Sequence, residues 1–314
     1  MQLIKYITII LFASLLLSTG ATWLTNRGLR HSGVDFYGKI NAAGEVDNPT
    51  NVLLVGSSRV LKQLDPKIID SVTGYNSFNY GLNSGTIKTW YNIINYSLHF
   101  NKNVKLVILN VDYYMFDISD DPYKDAYYYP FEKEAPGVIL NGTGAVNKVH
   151  QLKIFDIALY DDYAKYAAID GWLRPNRISG GVYKGYYPNR QLNNFETIAD
   201  FRASNKQITV TPSGLKLLDS CASLCKKNNV KLVLVMAPYF KQYSPEKYFT
   251  NFNEVVDSVK AVANKNGIPF LDYTTMSIAN DQQYFYNVNH LNSKGAAVYT
   301  QAVADTVKKY FSGL

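Results

Sequence analysis

The chain predicts a three-layer α/β/α sandwich around a central, mainly parallel sheet, preceded by an N-terminal transmembrane helix. Three observations lead there. The runs Asn51–Gly56 (NVLLVG), Val104–Asn110 (VKLVILN) and Val230–Ala237 (VKLVLVMA) are continuously apolar rather than alternating, as strands covered on both faces must be. Segments of helical period separate them, which is the order of parallel βαβ units. Ahead of both, Tyr6–Leu24 is nearly free of charge, with Lys5 on one side and Arg27, Arg30 and His31 on the other. Its length is about that needed to cross the hydrocarbon core as a helix.

The elements follow in order. Residues 1–30 read as the anchor and 31–50 as a polar connector, with Gly33, Gly38, Gly44 and Pro49 as breakers. The first strand is followed by a helix over Ser58–Val72. A short strand at Tyr75–Tyr80 and a helix over Gly85–Phe100 come next, then the third strand. After the break come a helix over Leu215–Lys227, the fourth strand, a helix over Tyr248–Asn264, a strand at Ile268–Asp272 and a closing helix over Ser293–Phe311. Residues 51–314 thus form one domain. The alternation fails between about 112 and 209, a stretch rich in Tyr, Asp, Asn and Gly, including Tyr127-Tyr128-Tyr129 and Gly180-Gly181. It follows a strand end, so it reads either as a substrate-binding lid or platform, or as a small second subdomain.

Composition narrows the function. With 314 residues, 47% apolar and 18% charged, the chain has the makings of an ordinary core and not those of a disordered or collagen-like protein. The net charge of +7 comes from Lys and Arg scattered singly or in pairs such as Lys226-Lys227, which gives no nucleic-acid footprint. Two cysteines exclude a disulfide scaffold. Cys221 and Cys225 fall four apart on an apolar helix face, where reduced core thiols are expected. No His/Cys ligand spacing points to a metal, and no cofactor is expected.

Three segments carry candidate chemistry. Gly56-Ser57-Ser58-Arg59 lies where the first strand meets the first helix, so a serine hydroxyl there sits at the sheet rim and a helix N-terminus. Serine is also a favoured N-cap, which needs no catalysis. Asn287-Val-Asn-His290 precedes the closing helix, where His290 can return to the same rim as a general base for Ser58. Asn79-Tyr-Gly81-Leu-Asn83-Ser84-Gly85 follows the second strand, where glycine lets a backbone N–H approach a ligand.

In this order the segments resemble the SGNH (GDSL-like) hydrolases, a flavodoxin-like fold whose blocks are Gly-Asp-Ser, a glycine turn, Gly-x-Asn-Asp and Asp-x-x-His. Ser57 occupies the first Asp position, and the Leu-Asn-Ser-Lys-Gly-Ala tail after His290 is similar to that family's continuation. The N-terminal apolar stretch with Gly-Ser-Ser-Arg looks like the membrane-anchored branch that modifies cell-envelope polysaccharides. The resemblance implies acyl-ester hydrolysis or O-acyl transfer on carbohydrate, outside the cytoplasm, beside a membrane-bound O-acyltransferase. It implies Ser58 as nucleophile, His290 as base, and an oxyanion hole from the N–H groups of Ser58 and Gly85 or Ser84, with Asn110; Arg59 and Asp112 complete the substrate-facing set.

The match departs in two places. Asn287 stands where the family has Asp; in serine proteases that exchange costs about 10⁴ in turnover. Leu109-Asn110-Val111-Asp112 stands where Gly-x-Asn-Asp is expected, and a carboxylate at Asp112 would repel an oxyanion. Three readings stay open: a working dyad oriented by Asn287, a substitute carboxylate such as Asp272, or a degenerate scaffold that holds glycan or an acyltransferase through its Tyr-rich insertion. For the N-terminus, an uncleaved anchor is expected, with cleavage before Ala21 as the competitor.

Overall fold

The computed structural model describes residues 1–45, 48–139, 145–175, 183–190 and 206–311. Gly180-Gly181 and much of the second half of the expected insertion lie outside them. In chain order, α1 (Gln2–Leu29) and α2 (Asp35–Ala43) are followed by β1 (Val52–Val55), α3 (Ser58–Gln63), α4 (Pro66–Thr73), β2 (Ser77–Asn79), α5 (Ile87–Phe100) and β3 (Leu106–Asn110). The short helices α6 (Tyr129–Glu132), α7 (Ala145–His150) and α8 (Asp156–Leu159) precede α9 (Asp162–Leu173). Then come α10 (Pro212–Lys227), β4 (Lys231–Met236), α11 (Phe252–Asn266), β5 (Phe270–Asp272) and α12 (Ser293–Phe311). The chain divides into two compact units, Glu45–Pro122 with Gly181–Leu314, and Met1–Gly44 with Tyr123–Gly180.

The first unit is the expected α/β/α sandwich. All strand pairs are parallel, in the order β2-β1-β3-β4-β5. Every residue of β1 and β3 is buried, which is why neither shows a polar alternation. One sheet face, carrying Val52, Leu54, Leu106, Ile108, Val233 and Val235, packs on Val60, Leu64 and Ile69 and on Tyr299, Val303 and Val307 of α12. On the other face lie α5 and α10, with Trp90, Ile93, Leu218 and the free thiols Cys221 and Cys225 buried. The strand order reverses between β1 and β3, β2 lying on one side of β1 and β3 on the other, so the carboxyl ends of those strands open a crevice where ligands of such sheets bind.

One expected helix is two. Asp65 caps α4 by accepting from Lys67 N, and Pro66 occupies its first turn; proline removes a donor and denies the preceding residue helical φ/ψ, so the run breaks there.

The second unit departs from the connector reading and, of the two readings of the insertion, agrees with the small subdomain rather than the platform. Residues 35–43, expected in a polar connector, form α2, because Phe36, Tyr37 and Ile40 make an apolar stripe and are fully buried. Tyr127-Tyr128-Tyr129 is no exposed platform. These side chains are at most 6% exposed, and Tyr127 and Tyr128 join Phe36, Tyr37, Phe131 and Tyr163 in an aromatic core. His150 stacks on Tyr129 and bonds Asp156 and Glu132 through both ring nitrogens, at 2.8 and 2.6 Å. Burial opposes its charge, but the two carboxylates outweigh it and raise its pKa to about 9.

The C-terminal half of α1 belongs to this unit. Ser18 donates to Ile154 O, Thr22 Oγ accepts from Ile157 N, and Trp172 Nε1 donates to Leu24 O at 2.9 Å. α1 and α9 touch backbone to backbone: a Cβ on Gly171 would lie 1.9 Å from Gly28 O. Gly171→Val is therefore expected to lower stability by about 1–3 kcal/mol or more through overpacking, read as a fall in the thermal midpoint of the detergent-solubilised chain. An unchanged midpoint would show that the two helices can part without loss.

Candidate active site

Gly56 closes β1 with φ +150°, and a side chain there would strike Val60 Cγ2 at 2.6 Å and Asn110 Cβ at 3.1 Å. The turn that follows divides two jobs between two serines. Ser57 is the N-cap of α3, its hydroxyl accepting from Arg59 N at 3.1 Å and donating to Asp112 Oδ2. Ser58 is thus released from capping, and its Oγ lies 2.8 Å from His290 Nε2. As the first residue of α3, Ser58 carries a backbone N–H that the helix cannot use.

The tautomer of His290 follows from donor counting. Asn287 Oδ1 lies 3.1 Å from Asn289 N, 2.9 Å from His290 N and 2.9 Å from His290 Nδ1. The backbone groups can only donate, so an oxygen must face them, and the ring nitrogen on that oxygen must carry hydrogen. Nε2 is left as the acceptor toward Ser58. The amide does part of what a carboxylate does, orienting the ring in its basic tautomer, but brings no negative charge. Burial, with Arg59 and Lys62 nearby, pushes the His290 pKa down to about 3. Asp272 does not substitute: it is exposed and accepts from the N–H and hydroxyl of Thr274.

Arg59 and Asp112, expected to face substrate, face each other instead. They are 2% and 1% exposed and pair at 3.0 Å. Arg59 Nη2 also donates to Ala237 O at 2.6 Å and Pro238 O at 2.9 Å, and its guanidinium lies 3.7 Å from the centre of the Tyr239 ring. Sequence reasoning missed Tyr239, although its place just past β4 marked it as a rim residue. Asn110 is 1% exposed, and both its amide atoms lack a partner. An unsatisfied buried amide is costly, and an incoming polar ligand would relieve that cost.

Ser84 and Gly85 both take positive φ, at 58° and 93°. They line a cleft of about 380 Å³ with Thr86, Tyr113, Tyr114 and Phe249. Gly81 is committed to the fold, its N–H donating to Asn79 Oδ1 while the Asn79 amide binds Val60 O and Leu64 O. Gln63 Nε2 reaches Asn289 O at 3.2 Å and ties α3 to the histidine loop. Asn292 caps α12, accepting from Gly295 N at 3.1 Å. Among the described residues no cluster of His, Cys, Asp and Glu could hold a metal.

This chain is similar to solved acylhydrolases. A lipase/acylhydrolase from Enterococcus faecalis matches at 12% identity and TM-score 0.43, covering 83% of this chain and 96% of that one. A carbohydrate acetylesterase from Sinorhizobium meliloti matches at 12% identity and TM-score 0.40, covering 83% and 100%. A GDSL-like lipase from Bacteroides thetaiotaomicron matches at 15% identity and TM-score 0.38, covering 86% and 96%. No protein-family model and no curated protein matches the chain.

Removing one partner of the buried pair leaves a charge stranded. Asp112→Asn is expected to cost about 3–5 kcal/mol of stability, measured by denaturant unfolding in detergent. A loss below 1 kcal/mol (roughly what an exposed pair contributes) would show that water reaches Arg59.

Proposed function

We propose that this protein is a serine acyl-ester hydrolase or O-acyltransferase acting on cell-envelope carbohydrate. The contact that supports the reading best is Ser58 Oγ on His290 Nε2, with Nδ1 held by Asn287. In the first step Ser58 Oγ attacks the acyl carbon, its proton passes to Nε2, and the carbonyl becomes an oxyanion. The N–H groups of Ser58 and Gly85 or Ser84, with the Asn110 amide, are the proposed donors to that oxyanion. Collapse breaks the bond to the sugar oxygen, which takes the proton from His290 and leaves as a hydroxyl, and an acyl-serine remains. Water or an acceptor hydroxyl then attacks, with His290 as base again. The aromatic cleft beside Ser84 and Gly85 suits a sugar ring, which is apolar on its faces and polar at its edge. A membrane-bound O-acyltransferase partner rests on the family resemblance alone.

The test is esterase activity of the full chain in detergent on an aryl acetate and an acetylated glycan. Ser58→Ala should fall to background with its fold intact, as read by circular dichroism. Asn287→Asp should raise kcat by about 10-fold or more, because a carboxylate stabilises the imidazolium formed in the transition state. Since the native His290 stays neutral far below the ordinary value of 6.5, the acid limb of kcat/KM should lie well below that pH. It should move upward in Asn287→Asp. Activity equal in wild type and Ser58→Ala would favour the catalytically degenerate scaffold, which the missing carboxylate supports.

We also infer that α1 is a retained membrane anchor holding the sandwich outside the cytoplasm. Its run of high hydropathy is almost entirely exposed at its N-terminal end, while its C-terminal half packs on α9. The full-length chain should stay with membranes through alkaline carbonate extraction. Recovery of a soluble chain beginning at Ala21 would show cleavage instead.

A further inference from the structure

Two elements of the N-terminal unit descend along α1 toward its exposed apolar half, and both end in uncovered apolar side chains. α9 runs from Tyr163, whose hydroxyl accepts from Phe36 N, to Trp172, whose indole binds Leu24 O. Beyond it, Leu173 is 73% exposed. The turn before α8 goes further down. Ile154 O accepts from Ser18, and its neighbours Leu152 and Phe155 are 59% and 40% exposed. At the α-helical rise, Ser18 lies about 9 Å along the axis from Leu24, toward the N-terminus.

Ser18 falls inside the apolar run Tyr6–Leu24, so the turn bonded to it sits at a depth where α1 itself is built for lipid. The surrounding chemistry is that of a membrane interface. Arg27 lies between the rings of Trp23 and Trp172, at 5.7 and 5.5 Å, and Lys153 is exposed on the turn. An interfacial segment of this kind buries its apolar side about 5–10 Å into the boundary of headgroups and acyl chains, which agrees with the depth of Ser18.

We propose that residues 152–155 and the Trp172-Leu173 end of α9 form a second membrane contact, seated in the lipid leaflet around α1. It rests on the reading of α1 as a retained span. The contact would fix the orientation of the N-terminal unit on the bilayer, which a single helix free to tilt and rotate would not do.

The test uses the full chain in vesicles of phosphatidylcholine and phosphatidylglycerol, with an environment-sensitive fluorophore on Leu152→Cys. Cys221 and Cys225 are buried and should not label. A matching probe on Leu11→Cys reports the span. The Leu152 probe is expected to shift to the blue and to lose most of its emission to lipids brominated near the headgroup end of the acyl chain. A Leu11 probe quenched by lipid beside a Leu152 probe that reads as water overturns the contact and leaves the span standing. A blue-shifted Leu152 probe that bromine does not quench also overturns it, assigning the surface to a protein partner. If neither probe is quenched, the span itself is wrong.

Discussion

Arg59 and Asp112 face each other almost out of reach of water, and three strand ends depend on that pair. Asp112 extends from β3, Arg59 from the turn after β1, and the carbonyls of Ala237 and Pro238 bring in the end of β4. Two charges buried this way repay their desolvation only when the remaining donors and acceptors are also met. Ser57 on the carboxylate and two carbonyls on the guanidinium meet most of them. Because Ser57 serves as both the N-cap and the partner of Asp112, Ser58 is left to face His290. The same charge has a cost for chemistry: burial first, and then Arg59, disfavour an imidazolium at His290, and no carboxylate on Nδ1 offsets them. The contact that assembles the rim thereby adds to what burial does to its base, while a positive charge nearby favours an oxyanion.

Much of the sandwich could be read from the chain because its strands are buried on both faces, as in VLLV and LVILN, and the bounds of α12 agree with its apolar period. The break at Pro66 was legible in principle, since proline acts locally. α2 was obscured by Gly38 and Asn41 between its apolar residues, and only the partner side chains of Tyr123–Tyr163 explain why it folds. Tyr127–Tyr129 left both readings of the insertion open for a related reason: a tyrosine run looks the same whether it lines a cleft or fills a core.

At the site, Ser58, His290 and Asn287 were named from their motifs, and the geometry brings them together. Local pattern could not tell which serine would cap, and it left open whether Asn287 orients the ring or is only a missing charge. What Asn287 does depends on two backbone N–H groups that fix its amide orientation, a property of the loop rather than of the residue type. The pairing of Arg59 with Asp112 joins residues 53 positions apart and has no local signal.

The backbone contact of Gly28 with Gly171 has a consequence for how the chain folds. It joins the start of the chain to a segment made much later, with β1, β2 and β3 synthesised between. Residues 45–122 must therefore form a loop whose ends meet before the aromatic core around Tyr37 can close, and the entropy of that closure comes before any reward from packing. The first three strands emerge before β4 and β5, so three strands of the five wait with an open edge at β3. The order of synthesis favours completing the unit around α1 first, with the sandwich finishing only when α12 arrives.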